Sequence, residues 1–189
     1  MTFSYNSPDL QILQELIHPD AQILPTNHRK PQLILQETKT DKPYSVTVRY
    51  SGKTEAIAVI ADRFPAAKQF FADSRKECKR ADYLIFADTP KGNYIVCVEM
   101  KSKSGNNSDI IAQLKGAQCL AAYCHRIGQI FWEETNFLKD YHFRFVSLKN
   151  MTANKRPSRS NDGTTHDRPE TPLRLHSYQE ISLQELIGG

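Results

Sequence analysis

Apolar and polar positions along this chain alternate with two different periods, and these periods distinguish the predicted helices from the predicted strands. Near the N-terminus, the sequence PDLQILQELI places Leu10, Leu13 and Ile17 on one face of a helix. A much longer helical stripe occurs in NNSDIIAQLKGAQCLAAYCHRIG, where we expect Ser108 to cap the helix and Gly128 to end it. The pattern therefore predicts a short first helix and one long later helix.

Runs of strand length, rich in β-branched and aromatic residues, make up most of the remaining chain. Three of them follow the first helix and are expected to be antiparallel neighbours: PQLILQET, YSVTVRY and TEAIAVI. Four more are ADYLIFA, YIVCVEM, HFRFVSL and LRLHSY. Between the third and fourth strands, FPAAKQFFADSRKE has a helical composition and is predicted as a helix. This order predicts an α/β (α+β) fold in which helices flank a mixed central β-sheet.

The length of 189 residues suits one domain with a substantial core, so we predict a single domain over residues 1–189. Within it, the polar segment at 149–172 is basic in its first half and poor in apolar residues, which predicts a flexible loop. No apolar run approaches the roughly 18 residues of a membrane-spanning helix, and the N-terminus does not resemble a signal peptide. We therefore expect a cytoplasmic protein with no membrane contact.

Charge and cysteine content restrict the function only weakly. The formal net charge of +4 permits an anionic partner without requiring one. The four cysteines have no C-x-x-C spacing, which argues against a disulfide framework and against a compact zinc site. Candidate chemistry must therefore come from other residues.

The turn sequence TPKG, between the fourth and fifth strands, predicts a hairpin that brings acidic residues together. If Thr89 pairs with Gly92, Asp82 lies opposite Glu99, and Lys101 follows on the same face. Two carboxylates that face each other across a strand pair repel unless a cation is present. Hard oxygen ligands suit Mg²⁺ (or Mn²⁺), which can bind a phosphate and activate water, while a lysine can orient that water. Two carboxylates and a lysine in this arrangement are the side chains that metal-dependent phosphodiester hydrolysis uses.

The pattern D-x16-E-x-K on consecutive strands, followed at once by a long helix, resembles the PD-(D/E)xK nuclease superfamily, which has a restriction-endonuclease-like core. By element order the resemblance covers roughly residues 7 to 148. It implies that Asp82 and Glu99 hold the metal and that Lys101 assists the attacking water. It also implies possible supporting roles for Gln118 and Tyr123, because QCLAAY is similar to the Q-x-x-x-Y of exonuclease-like branches, although one residue longer.

A purely structural interpretation competes with this one, since Glu99 and Lys101 at a sheet edge would form an ordinary ion pair in water. The preceding residues, YIVCV, predict a buried strand and so argue against an edge. Several basic residues are candidates to contact a nucleic-acid backbone, although a solvated surface explains them equally well: Arg75, Lys76, Lys79, Arg80, Lys103, Lys155 and Arg156.

The resemblance predicts a metal-dependent nuclease, either endo- or exonuclease, that hydrolyses DNA in phage defence, restriction or repair. Two alternatives stay open at this point. One is a nucleic-acid-binding or assembly subunit with a nuclease-like fold, and the other is an RNA-directed nuclease. DNA is favoured over RNA as the partner, and the sequence leaves open whether a homodimer or a partner subunit is involved.

Overall fold

The computed structural model describes residues 4–26, 31–38, 43–101, 106–149, 158–160, 165–176 and 178–188. The helices within these residues are α1 (Pro8–Leu16), α2 (Asn107–Phe131) and α3 (Leu183–Ile187), and short 3-10 turns occur at Pro19–Ala21 and Ala61–Arg63. The strands are β1 (Gln22–Ile23), β2 (Gln32–Glu37), β3 (Tyr44–Arg49), β4 (Glu55–Ile60), β5 (Tyr83–Thr89), β6 (Gly92–Lys101), β7 (Tyr141–Lys149), β8 (Ser158–Ser160), β9 (Leu173–His176) and β10 (Glu180–Ser182).

Seven strands form one mixed sheet in the order β1-β4-β5-β6-β7-β9-β8. In its centre, β6 pairs antiparallel with β5 and parallel with β7. A second sheet has the order β10-β3-β2. The predicted α/β (α+β) class, with helices against a mixed central sheet, is confirmed. The expectation that the three early strands are neighbours is wrong for β4, which pairs with β5 in the large sheet, whereas β2 and β3 pair with each other.

Each face of the large sheet carries its own apolar core. On one face, α1 and α2 pack against alternate residues of the central strands, which include Leu84, Phe86, Ile95 and Cys97. On the other face, the small sheet and α3 pack against the intervening residues, which include Tyr83, Ile85, Val96 and Val98. Because both faces are covered, the central strands are apolar at nearly every position, as sequences such as YLIFA and YIVCV indicate.

The segment FPAAKQFFADSRKE, predicted as a helix, is a series of turns instead. Asp73 and Lys76 have φ values of 58° and 62°, which interrupt any helix. Side chains satisfy the backbone in its place: Arg80 donates to the carbonyl oxygens of Pro65 and Cys78, each at 2.9 Å, and the Asp73 carboxylate accepts from Cys78 N at 3.1 Å. The helical composition of this segment is therefore overridden by local side-chain hydrogen bonds.

Helix α2 differs from its prediction at both ends. Asn106, and not Ser108, is its N-cap, because the Asn106 side chain accepts a hydrogen bond from Ser108 N at 3.1 Å. Gly128 lies inside the helix and does not end it. A Cβ at Gly128 would lie 2.1 Å from Cδ1 of the fully buried Phe137, so the glycine makes room for this ring. Within the described chain, neither α2 nor any other helix is long and apolar enough to cross a membrane.

The segment predicted as a flexible loop at 149–172 contains packed structure. It contains β8, which pairs antiparallel with β9, and His166, which is buried with Nε2 2.7 Å from the carbonyl oxygen of Leu186. The carbonyl of His166 also accepts a 2.8 Å hydrogen bond from Phe145 N in β7. Residues 165–172 therefore pack against the large sheet, while 150–157 and 161–164 lie outside the described residues.

Candidate active site

The β5–β6 hairpin has the register that the turn sequence predicts, with Thr89 paired to Gly92. Asp82 immediately precedes β5, and its Oδ2 accepts a 2.6 Å hydrogen bond from the N–H of Met100. This bond holds the Asp82 carboxylate beside the peptide that joins Glu99 to Met100. The hairpin therefore brings the two predicted acidic residues to the same end of the sheet.

Glu99 is fully buried, at 0% exposure, and Lys101 is its ion-pair partner through Nζ and Oε1. In the part of the chain that the structure describes, Oε2 of Glu99 has no hydrogen-bond donor, and Oε1 has only the Lys101 ammonium. The Lys101 side chain is 27% exposed, so the ion pair joins a fully buried carboxylate to a partly exposed residue. A buried carboxylate with so few donors costs folding free energy, which marks this position as different from an ordinary core.

Burial raises the pKa of both acidic residues. The pKa of Glu99 rises to about 8, chiefly through burial and then through the negative charge of Asp82, while the Lys101 ammonium opposes the rise. Burial likewise raises the pKa of Asp82 to about 6, and the neighbouring carboxylates of Glu37 and Asp62 add to it. Both carboxyl groups therefore hold a proton more readily than they would in water, and a bound cation would favour their charged forms.

Hydrogen bonds from a tyrosine of β5 hold the small sheet, and with it Glu37, near Asp82 and Glu99. Tyr83 Oη donates to the carbonyl oxygen of Gln36 at 2.6 Å and accepts from Gln36 N at 2.9 Å. These two bonds hold the end of β2 beside the start of β5, and Glu37 is the next residue along β2. On another side, the N–H of Ala61 donates to the carbonyl oxygen of Asp82 at 2.8 Å, which fixes the turn after β4.

The sequence interpretation missed Glu37 and Asp62 as neighbours of the predicted group. Glu37 belongs to a separate sheet, whose packing no local pattern reveals. The position of Asp62 could have been inferred from the sequence, because this residue lies two positions beyond the strand TEAIAVI. Since β4 and β5 are antiparallel and Ile60 pairs with Tyr83, a residue just past β4 lies near one just before β5.

The donor set fits a hard divalent cation. Among the residues that the structure describes, no group of three or more His, Cys, Asp or Glu side chains has the arrangement of a metal site. An ion here would therefore have two protein carboxylates, from Asp82 and Glu99, with water or substrate oxygens completing its shell, as Mg²⁺ commonly does. The Glu99 Oε2 atom that lacks a donor and the raised pKa values of both carboxyl groups support this fit.

Helix α2 does not bring Gln118 or Tyr123 into any hydrogen bond or ring contact with these acids among the described residues. Gln118 is half-buried on the flank of the helix. Tyr123 is 54% exposed, and its ring packs edge-on against Phe64 with centroids 6.0 Å apart. The supporting roles of both residues stay predictions that the resemblance alone implies.

The candidate backbone-binding residues differ in their surroundings. Arg80 already donates to backbone carbonyl oxygens, and Lys76 Nζ lies 2.8 Å from Asp109 Oδ1. Arg75 and Lys79 have exposed side chains. The remaining candidates lie outside the described residues: Lys103, Lys155 and Arg156.

A cavity of about 570 Å³ lies at the opposite end of the hairpin, where Thr89 forms part of its wall together with residues of β10 and α3. Its described lining includes none of Asp82, Glu99 and Lys101. The cavity and the acidic group are therefore separate features.

Comparisons of the chain with protein-family models, with curated proteins and with solved structures gave no significant match. A fold class by itself does not define an activity. The function must therefore be inferred from the side chains at the end of the hairpin.

We expect Glu99→Gln to stabilise the metal-free protein at alkaline pH. The pKa of this carboxyl group is raised in the folded state, so its contribution to stability falls as pH rises from its ordinary value of 4.5 towards about 8. Glutamine keeps the shape without the charge. Thermal unfolding in EDTA should give a midpoint about 2–6 °C higher for the variant at pH 8.5, and a smaller difference at pH 5.

Glu170→Gln is the matched control, because Glu170 forms an exposed ion pair with Lys115 at 2.7 Å. Exposed pairs contribute little, so this variant should shift the midpoint by no more than about 2 °C. A lower midpoint for Glu99→Gln at pH 8.5 would show that the ion pair with Lys101 stabilises the fold by more than burial costs.

Proposed function

We propose that this protein is a metal-dependent nuclease of PD-(D/E)xK type that hydrolyses DNA phosphodiester bonds. The observation that supports it most is the buried carboxylate of Glu99, whose Oε2 lacks a hydrogen-bond donor among the described residues and whose Oε1 meets only the Lys101 ammonium. Asp82 lies beside the following peptide, and Lys101 contacts the Glu99 carboxylate. An ordinary structural core has no need for this group, whereas phosphodiester hydrolysis uses each of its members.

Each residue has a distinct role in the proposed reaction. Asp82 and Glu99 would hold Mg²⁺ or Mn²⁺, which when bound supplies positive charge for a phosphoryl oxygen and lowers the pKa of a bound water. Lys101 is partly exposed beside Glu99, where water can reach its ammonium group. From this position it donates a hydrogen bond that orients the attacking water and stabilises negative charge that develops on the phosphate.

One observation favours a second candidate, a binding or assembly subunit with a nuclease-like fold. Lys101 pairs directly with Glu99, and such a pair can serve folding alone. The two candidates differ in a measurable way, because a subunit of this kind binds nucleic acid without cutting it.

The experiment incubates the purified protein with single-stranded DNA, duplex DNA and RNA, each with Mg²⁺, with Mn²⁺ and with EDTA. We expect cleavage that requires a metal, that is lost in Lys101→Ala, and that persists in Lys91→Ala, which removes an exposed lysine from the turn at the opposite end of the hairpin. Cleavage of RNA alone would replace DNA with RNA as the substrate. If no substrate is cut and salt-sensitive binding remains, the binding subunit is the correct assignment.

A further inference from the structure

The loop between β4 and β5 exposes aromatic side chains that the proposed cleavage chemistry does not use. We name residues 64–80 the aromatic loop. Phe70 is 85% exposed, Phe71 and Phe64 are also exposed, and Tyr123 of α2 lies against Phe64. Isolated apolar residues on a surface are common, but two aromatic pairs, one within the loop and one between the loop and the adjacent helix, suggest a binding surface.

The rings form two edge-on pairs. Phe70 and Phe71 have centroids 5.0 Å apart, and Phe64 and Tyr123 have centroids 6.0 Å apart. The Arg80 guanidinium lies 5.0 Å from the centre of the Phe64 ring, in a cation–π contact. The high exposure of Phe70 leaves most of its ring accessible to a planar ligand.

The charge around these rings indicates an anionic ligand. The aromatic loop contains two acidic residues, Asp73 and Glu77, and five basic ones, so it supplies three of the four net positive charges of the chain. The basic residues are Lys68, Arg75, Lys76, Lys79 and Arg80. Aromatic rings interspersed with cations are what a single-stranded nucleic acid requires, since bases stack on the rings and phosphates pair with the cations.

The aromatic loop also borders the candidate active site. The chain runs directly from this loop into Asp82, and Lys76 contacts Asp109 in the first turn of α2. Helix α2 is the next element after β6, and Lys101 is the last residue of β6. A groove of about 410 Å³ runs between loop and helix, with Arg75, Lys76 and Lys115 in its walls.

We propose that the aromatic loop, together with Tyr123, binds unpaired bases by stacking, so that the ligand is single-stranded nucleic acid whose backbone follows this groove. Bases inside a duplex do not present their faces to protein rings, whereas those of a single strand do. The assignment of this strand as the substrate rests on the proposed nuclease function. The binding itself does not, because it needs neither metal nor cleavage.

The test measures binding by fluorescence anisotropy in EDTA, with labelled single-stranded DNA, single-stranded RNA and duplex DNA of one sequence. We expect the protein to bind the single strands about tenfold more tightly than the duplex. The double variant Phe70→Leu, Phe71→Leu should weaken single-strand binding by about tenfold, because leucine keeps apolar area and loses the planar face. The double variant with Phe70→Trp and Phe71→Trp should retain binding.

Phe131→Leu is the matched control. Phe131 is also a highly exposed aromatic residue, but it lies eight residues beyond Tyr123 on α2, about 12 Å along the helix axis. Its replacement should leave binding unchanged. Thermal unfolding of all variants checks that they are folded.

Equal affinity for duplex and single strand would overturn the inference, and so would full single-strand binding by the double leucine variant. It would also be overturned if the protein bound anionic phosphatidylserine vesicles through these rings and bound no oligonucleotide. Cleavage assays separate it from the proposed function. Ring-dependent single-strand binding without cleavage under any metal condition would retain the stacking surface and reject the nuclease. Cleavage of duplex DNA that the leucine substitutions do not affect would retain the nuclease and reject the stacking surface.

Discussion

Asp82→Asn should reduce metal-dependent cleavage by about 1,000-fold or more, which is the largest effect on activity that we expect. Asparagine removes the negative charge that a divalent ion needs. It keeps a side-chain oxygen that can accept the hydrogen bond from Met100 N, so the end of the hairpin should stay folded. Initial rates with saturating Mg²⁺ measure the loss, and thermal unfolding measures folding.

Metal binding gives a second measurement for this variant that does not depend on activity. Mg²⁺ or Mn²⁺ should raise the unfolding midpoint of the unaltered protein, because an ion that binds only the folded state stabilises it. The same ions should leave the midpoint of Asp82→Asn unchanged. Asp88→Asn is the matched control, since Asp88 is at the opposite end of β5, where it is bonded to Tyr141. Cleavage by Asp82→Asn at the normal rate would rule out the proposed metal site.

Gly116→Ala should destabilise the protein strongly, although it adds only one methyl group. A Cβ at this position of α2 would lie 1.8 Å from the carbonyl oxygen of Lys79 and 2.8 Å from its carbonyl carbon. Both partners are backbone, so helix and loop must move apart. We expect a loss of about 3 kcal/mol or more in the free energy of unfolding, which lowers the midpoint by roughly 6–12 °C.

The same substitution should also reduce cleavage, because Lys79 lies only three residues before Asp82. The control is Gly52→Ala, where a Cβ meets no atom within 4 Å and the midpoint should change little. Thermal and urea unfolding of the two variants give the comparison. An unchanged midpoint for Gly116→Ala would mean that α2 and the loop do not pack as closely as described.

The parts of the fold that could be predicted from the sequence depend on local physics. The turn between Thr89 and Gly92 has two central residues, so it determines the register of the whole hairpin, and with it the juxtaposition of Asp82 and Glu99. The helical stripe of α2 likewise depends on its own periodicity. For these elements the required information lies within a few residues of each position.

The features that sequence reasoning misses depend on distant contacts. Glycine often ends helices, which is why the pattern predicts a stop at Gly128, whereas this glycine accommodates Phe137, which follows the end of α2. The pairing of β4 with β5 and the contribution of Glu37 require knowledge of which sheet each strand joins. The turns that replace the predicted helix after β4 depend on the hydrogen bonds of Asp73 and Arg80, which composition does not reveal.

The short turn of the β5–β6 hairpin has a consequence for the order of events during folding. Closing this hairpin costs little chain entropy, since only two residues separate its strands, whereas the parallel pairing of β6 with β7 requires a crossover through the whole of α2. The loop closure that brings together Asp82, Glu99 and Lys101 therefore has a lower entropy cost than the crossover to β7. We expect their desolvation to follow when the helix and the small sheet dock, so that the free-energy cost of burying these charges arises late in folding.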